Sequence, residues 1–272
     1  MNKLARYLRH HVDVPGCLDS YSAQFISEIS TIQNRARFTG SVGEIGVHMG
    51  RLFILLKLLA GPTERAVAID VFHYQHLNVD KSGEGDERQF RKNVDRWASG
   101  DNLEVIQRSS LDVRASDVIA RVGKCRIFSI DGGHSAECTM NDLHLAEQII
   151  ETFGVVILDD YFNPSWPDVS IGAARYMDNP LTGLRPFAIT PNKLFLARPE
   201  FHSLYRSTLR ISQNDYFEKD SYMGGFQVPT FGVDRDTYTA LKKIKRWLKR
   251  TPAGPRLVAA NRLMRCALGR PA

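Results

Sequence analysis

From Ser41 onward the chain alternates short, unbroken apolar runs with longer stretches in which apolar residues return every three or four positions. The short runs are rich in Val and Ile and have the length of buried strands, and the longer stretches carry the spacing of helices. The pattern predicts strands at 41–46, 66–70, 102–107, 125–130 and 154–158. It predicts helices at 51–60, 87–98, 114–122, 138–152 and 168–177, the first of them stopped by Gly61-Pro62. Arg185–Thr190 and Lys193–Ala197 read as a closing antiparallel hairpin around Pro191-Asn192. A further helix at 20–37 precedes the first strand and is placed to cover one edge of a ligand cleft. Strands that alternate with helices give a mostly parallel sheet with helices on both faces, here an α/β, Rossmann-like arrangement of seven strands.

Two stretches break the rhythm. Residues 73–86 (HYQHLNVDKSGEGD) form a polar insertion between the second strand and its helix, and residues 199–272 extend past the last strand. The expected organisation is therefore a helical segment at 1–37, an α/β domain at 38–198 and an extension at 199–272. Within that extension Tyr238, Leu241, Ile244 and Leu248 recur at helical spacing among lysines and Arg246. That is a basic amphipathic helix, suited to packing on the body or to peripheral contact with an anionic membrane surface.

Charge changes the picture only locally. The chain carries 36 Lys and Arg against 30 Asp and Glu, a net +6. Ten of the basic residues follow Asp236, after which there is no acid, so the remainder carries 26 basic against 30 acidic residues. The body is mildly acidic, which argues against nucleic acid as its substrate. Cys17, Cys125, Cys138 and Cys266 lie far apart with no paired spacing, so neither a disulfide framework nor a zinc knuckle is expected. No apolar run approaches a membrane span, and Met1–Asp13 lacks a signal-peptide core; a soluble, cytoplasmic protein is expected.

Candidate chemistry lies at the carboxyl ends of the predicted strands, where open α/β sheets bind ligands. The first strand runs into Glu44-Ile-Gly46-Val-His-Met-Gly50, an ExGxxxG turn whose glycines let a ligand approach the backbone. Asp70 closes the second strand, where a carboxylate can accept both hydroxyls of a ribose. This pairing resembles the class I S-adenosylmethionine-dependent methyltransferases. The resemblance implies that Glu44, Gly46 and Gly50 border the methionine half of the cofactor and that Asp70 holds its ribose. It implies further that Val71, Phe72 and Ser109 or Ser110 lie by the adenine.

The fourth strand ends in Asp131-Gly-Gly-His134 and the fifth in Asp159-Asp160-Tyr161. Neighbouring strands stand about 4.8 Å apart, so carboxylates at the two tips can reach one ion. Oxygen ligands suit Mg²⁺, or another divalent cation such as Ca²⁺ or Mn²⁺, and His134 is placed to act as a base beside it. The D-G-G-H and L-D-D-Y motifs look like those of metal-dependent small-molecule O-methyltransferases, in particular the group that methylates sugar hydroxyls of natural products, with cephalosporin-hydroxylase-like proteins nearby. By that resemblance Asp131, Asp159 and Asp160 bind the metal, Asp131 also adjoins the cofactor, and His134 with Asp131 serves the catalysis.

The expected function is thus methyl transfer to a hydroxyl of a small, sugar-containing molecule, by a chain that could form a homo-oligomer. Tyr161, Phe162 and Trp166 would either line the acceptor site or pack the next helix, and the 73–86 insertion would act as a lid. Three alternatives stay open: a nucleic-acid methyltransferase, a cephalosporin-hydroxylase-like metal enzyme, and a non-catalytic binding protein on the same fold. The first would more often carry an Asn/Asp-Pro-Pro-aromatic motif where this chain has Asp131-Gly-Gly-His134.

Overall fold

In a computed structural model, which describes residues 2–78 and 80–232, each apolar run becomes a strand near its expected place. These are β1 (Ser41–Ile45), β2 (Ala66–Asp70), β3 (Leu103–Gln107), β4 (Cys125–Ile130) and β5 (Ile150–Leu158). The hairpin strands β6 (Arg185–Ile189) and β7 (Leu194–Ala197) follow. The sheet order β3-β2-β1-β4-β5-β7-β6 makes the first five strands parallel, and β7 runs antiparallel to both β5 and β6. Two strands from the extension, β8 (Phe217–Met223) and β9 (Phe226–Phe231), carry the sheet on to nine by pairing β9 with β6. The strand order reverses between β1 and β4, so their carboxyl ends frame a crevice.

β1 and β4 are buried along their whole length, which is why they read as unbroken apolar runs. Successive residues face opposite layers: Ile127 packs with Phe25, Ile29 and Phe195 on one side, and Phe128 with Leu143 and Val156 on the other. A side chain at Gly43 would stand 2.6 Å from Val67 Cγ1 and 2.7 Å from Phe128 Cε2, so bare backbone is what lets those two fill the core.

Helices α2 (Ser20–Arg35), α3 (Arg51–Leu59), α4 (Glu87–Trp97), α5 (Ala115–Val122), α6 (Ala136–Ile149) and α7 (Pro167–Asp178) match the periodic stretches. Asp19 caps α2 by accepting from Ser22 N at 2.9 Å, and Ser135 caps α6 by accepting from Cys138 N at 3.1 Å. The α6–β5 boundary falls at Ile150, earlier than the periodicity indicates, because β5 takes up extra residues in an irregular register opposite Cys125–Ile127.

Helix α1 (Lys3–His10) falls within the helical segment expected at 1–37, whereas the sequence pattern does not announce α8 (His202–Ser212). Two basic residues of α1 cover Trp97: Arg6 lies over its ring and His10 stacks on it, and Arg96 of α4 also lies over the ring. Residues 1–231 gather into one compact unit. The basic amphipathic stretch around Tyr238–Leu248 lies outside the described residues. Among the described residues no helix is long and apolar enough to cross a membrane.

One buried polar network ties α2 and α3 to the sheet. Arg126 on β4 is fully buried, and its Nε donates to both oxygens of Glu64 at 3.1 Å. Its Nη1 donates to Gln33 Oε1 at 2.7 Å and Ser30 Oγ at 3.2 Å, and its Nη2 to the Leu59 carbonyl at 2.8 Å. The backbone N–H groups of Gly40 and Gly61 complete the Glu64 carboxylate. Arg126→Met leaves that carboxylate largely uncompensated, a loss of about 3–5 kcal/mol. The expected fall in Tm is about 6–20 °C, read by calorimetric or circular-dichroism melting.

Candidate functional site

The turn after β1 is set by two hydrogen bonds and one close approach. Gly46 N donates to the Ile69 carbonyl at 2.8 Å and Asp131 N donates to the Ile45 carbonyl at 2.9 Å, so the ends of β1, β2 and β4 are bound edge to edge. Gly46 has φ +80°, and a Cβ there would lie 1.7 Å from the Asp131 carbonyl oxygen. Beside this turn Asp70 accepts from His48 N at 2.8 Å and from Phe72 N at 2.6 Å, one donor on each carboxylate oxygen. Burial nevertheless raises the Asp70 carboxyl above its ordinary value.

A cavity of about 770 Å³ opens over these strand ends, a volume suited to a nucleoside-sized ligand together with a small second molecule. Gly46, Asp70, Val71, Ser109 and Ser110 line one end of the predicted constellation, and Asp131, His134, Asp159 and Asp160 line the other. Glu44 and Gly50 lie behind the wall rather than on it. Glu44 is buried with its Oε2 unpartnered among the described residues, and burial together with Asp131 pushes its carboxyl well up. Gly50, at φ +93°, admits the Phe90 ring, which a Cβ would meet at 2.9 Å. Phe72, expected beside an adenine, is instead fully buried against Phe90, so it serves the core. The turn at φ +46° rotates its side chain inward and leaves Val71 on the cavity.

The acid cluster includes a cation that sequence reasoning missed. Lys193, just before β7, is buried, and its ammonium sits on Asp159 Oδ2. Burial alone would lower the Lys193 pKa, but Asp159, Asp131 and Glu44 outweigh it and hold the ammonium above its usual value. Asp159 also accepts from Asn192 Nδ2 at 3.0 Å and from Asp160 N at 2.9 Å. Asp159, expected as a metal ligand, is thus engaged by Lys193 and Asn192. The atoms that converge are those of Asp131, His134 and Asp160, one ligand atom from each within 4.8 Å of the others. Burial and then Asp159 push the Asp131 carboxyl up to about 8. Burial would raise Asp160 as well, but hydrogen bonds from His134, Asn163 and Asn192 bring it down to about 2.

His134 is held on three sides. Its Nε2 lies 3.1 Å from Asp160 Oδ2, its Nδ1 lies 2.7 Å from Asp80 Oδ2, and Trp166 stacks on the ring at 4.2 Å. Burial would lower its pKa, yet the two carboxylates raise it to about 9. Of the three aromatic residues after the acids, Trp166 lines the cavity, Tyr161 is buried in the core and Phe162 is exposed. Asp80 comes from the polar insertion, of which Asp80, Ser82, Gly83 and Gly85 line the cavity. Nothing local in the sequence marks Asp80, whereas an isolated lysine ahead of the apolar Leu194–Ala197 run was a visible signal for Lys193. Opposite, Arg51 donates to the Val14 carbonyl and brings Gly16–Asp19 to the rim, so the segment leading into α2 covers that edge.

Residues 44–161 match the family described as a methyltransferase domain. Among solved structures, the O-methyltransferase NovP is similar over 65% of this chain and 80% of its own, at 16% identity and a TM-score of 0.54. Cofactor-bound Rv0187 from MTB is similar over 72% of this chain and 88% of its own, at 21% identity and a TM-score of 0.52. An O-methyltransferase from Bacillus cereus, in complex with SAH, is similar over 72% and 90% of the two chains, at 16% identity and a TM-score of 0.50. The shared fold is the Rossmann-like methyltransferase fold. A search of curated proteins by sequence finds no match.

The turn geometry carries its own test. Gly46→Ala forces the β1 and β4 ends apart and is expected to cost more than about 3 kcal/mol. Gly61→Ala, whose Cβ meets only Glu64 at 3.6 Å, is the control expected to change stability little in the same denaturant titration.

Proposed function

We propose that this chain, a methyltransferase by the domain at residues 44–161, moves the methyl group of S-adenosylmethionine to a hydroxyl oxygen of a small polyhydroxylated acceptor, of the sugar or glycan-intermediate class. The observation that carries this reading is the convergence of Asp131, His134 and Asp160 in the same cavity as Gly46 and Asp70. The names of NovP and the Bacillus cereus protein, both O-methyltransferases, agree with oxygen as the methyl acceptor.

The cofactor half follows from the residues already placed. Each Asp70 oxygen spends one lone pair on a backbone N–H and keeps another for a ribose hydroxyl. Val71, Ser109 and Ser110 take the adenine, while the bare backbone of Gly46 admits the methionine half close to Asp131. Glu44, behind that turn with an unsatisfied buried oxygen and a raised pKa, would be ionised as the positive amino group of the cofactor approaches.

The acceptor half fits a divalent cation. Asp131 and Asp160 offer hard oxygen donors, and the raised pKa of Asp131 marks a carboxylate short of positive charge in the ion-free protein. Such an ion would chelate neighbouring hydroxyls of the acceptor and lower the pKa of the attacking one. His134 receives the hydroxyl proton at Nε2. Asp160 holds a proton there while no other cation faces its Oδ2, so the imidazole would become a base once a cation took up that oxygen. Lys193 holds Asp159 in place, and the Trp166 ring, stacked on His134, is the flat apolar surface against which a sugar ring can lie. Fixing the acceptor oxygen in line with the sulfonium methyl is then mainly a matter of position.

Calorimetric titration with S-adenosylmethionine, with and without Mg²⁺, tests the class; no binding in either condition contradicts it. Paramagnetic titration with Mn²⁺ tests the ion site separately. Asp160→Ala is expected to weaken Mn²⁺ binding at least about tenfold and to leave cofactor affinity within about twofold. A metal ion must displace the proton of Asp131, whose pKa is about 8. Mn²⁺ affinity is therefore expected to rise by up to about tenfold per unit between pH 6 and 8, flattening above, with proton release visible as a buffer-dependent enthalpy.

A further inference from the structure

Asp80 belongs to a polar strap, residues 80–86, that touches both halves of the cavity. At one end a single carboxylate oxygen of Asp80 accepts from His134 N and faces His134 Nδ1, each at 2.7 Å. Its other oxygen accepts from Ser82 N at 3.1 Å, which fixes the rotamer. Further along, the strap runs over the nucleotide end on bare backbone. A Cβ at Gly83 would stand 3.4 Å from His48 Cδ2, and one at Gly85 would stand 3.2 Å from Asp70 Oδ1 and 3.3 Å from Phe72 Cδ1. The strap is tied down between these points by Asn78 Nδ2, which donates to the Gly83 carbonyl at 2.7 Å.

We propose that Asp80 is the positioning residue of His134, and that the strap thereby couples coverage of the nucleotide site to the orientation of the imidazole. The inference rests on the functional reading above for what the imidazole does, though the contact itself does not depend on it. Besides Asp160 at Nε2, three contacts from two residues, Asp80 and Trp166, decide the ring's pose. Asp80 accepts the Nδ1 proton and so places the lone pair of the neutral ring on Nε2, Trp166 confines the ring plane, and the backbone bond at His134 N sets the depth of the loop. A group carried 54 residues away on a strap, rather than on the sheet, makes this orientation conditional on the strap lying down. Where the strap lies down, Gly85 is against the carboxylate proposed to hold the ribose, so a bound nucleoside and a correctly aimed imidazole favour the same conformation.

The test uses the full chain with ¹⁵N-labelled histidine, the His134 signals being assigned by their absence in His134→Gln. In the wild type an Nδ1-bound proton shifted downfield and protected from solvent exchange is expected. Asp80→Ala should lose that resonance, and Asp80→Glu, which restores the acceptor, should recover it at least in part. An unchanged His134 spectrum in Asp80→Ala overturns the positioning role. For the coupling, calorimetric titration of S-adenosylhomocysteine is expected to give a Kd about three- to tenfold higher for Asp80→Ala than for the wild type. Equal Kd values overturn the coupling. If the wild type binds no S-adenosylhomocysteine, the functional reading fails, while the His134 spectrum still decides the role of Asp80.

Discussion

Carboxyl groups gathered at the ends of adjacent parallel strands repel one another, and they do so most where water is excluded. Glu44, Asp131 and Asp159 stand in that position, with Asp160 beside them, and the protein answers with Lys193 on Asp159 and an imidazole between Asp80 and Asp160. What those two groups leave uncompensated falls on Glu44 and on Asp131, whose backbone carbonyl lies against the Gly46 turn. An arrangement this costly to assemble is retained where charge must be met by something that arrives. Under the proposed function the arriving groups would be a sulfonium cofactor and a divalent ion, each bringing positive charge to this cavity.

The rest of the molecule positions this cluster. Continuous burial of β1 and β4 sets the height of the strand ends, and Gly43 and Gly46 allow the strands to meet without side chains in the way. The Arg126–Glu64 network joins α2, the end of α3 and β4 at the amino ends of the strands, so it fixes the frame whose opposite ends carry the site. The one group brought from outside this frame is Asp80, on a strap that also covers the nucleotide end.

Local features were readable from the sequence and distant pairings were not. The strands showed because burial on both faces makes a run of Val and Ile, and Asp131, His134 and Asp160 showed because motif and strand end coincide within a few residues. Lys193 meets Asp159 across 34 positions and Asp80 meets His134 across 54, so no spacing rule connects them. Gly50 and Phe72 carried the right residue types beside the right turns, yet the structure gives them to helix docking and the core, since a glycine or an aromatic serves packing as well as a ligand. The two extra strands and α8 lay in a stretch with mixed polarity, half exposed, which leaves no clean period to read.

The central claim is that one cation and one sulfonium cofactor meet at Asp131. Crystals grown with S-adenosylhomocysteine and Mn²⁺, measured for anomalous scattering from manganese, address it directly. The expected result is a manganese peak in contact with the carboxylates of Asp131 and Asp160, with the ribose on Asp70 and the cofactor sulfur on the Gly46 side of the same cavity. Manganese absent from those carboxylates while the nucleoside is bound, or a nucleoside bound away from Asp70, would contradict it.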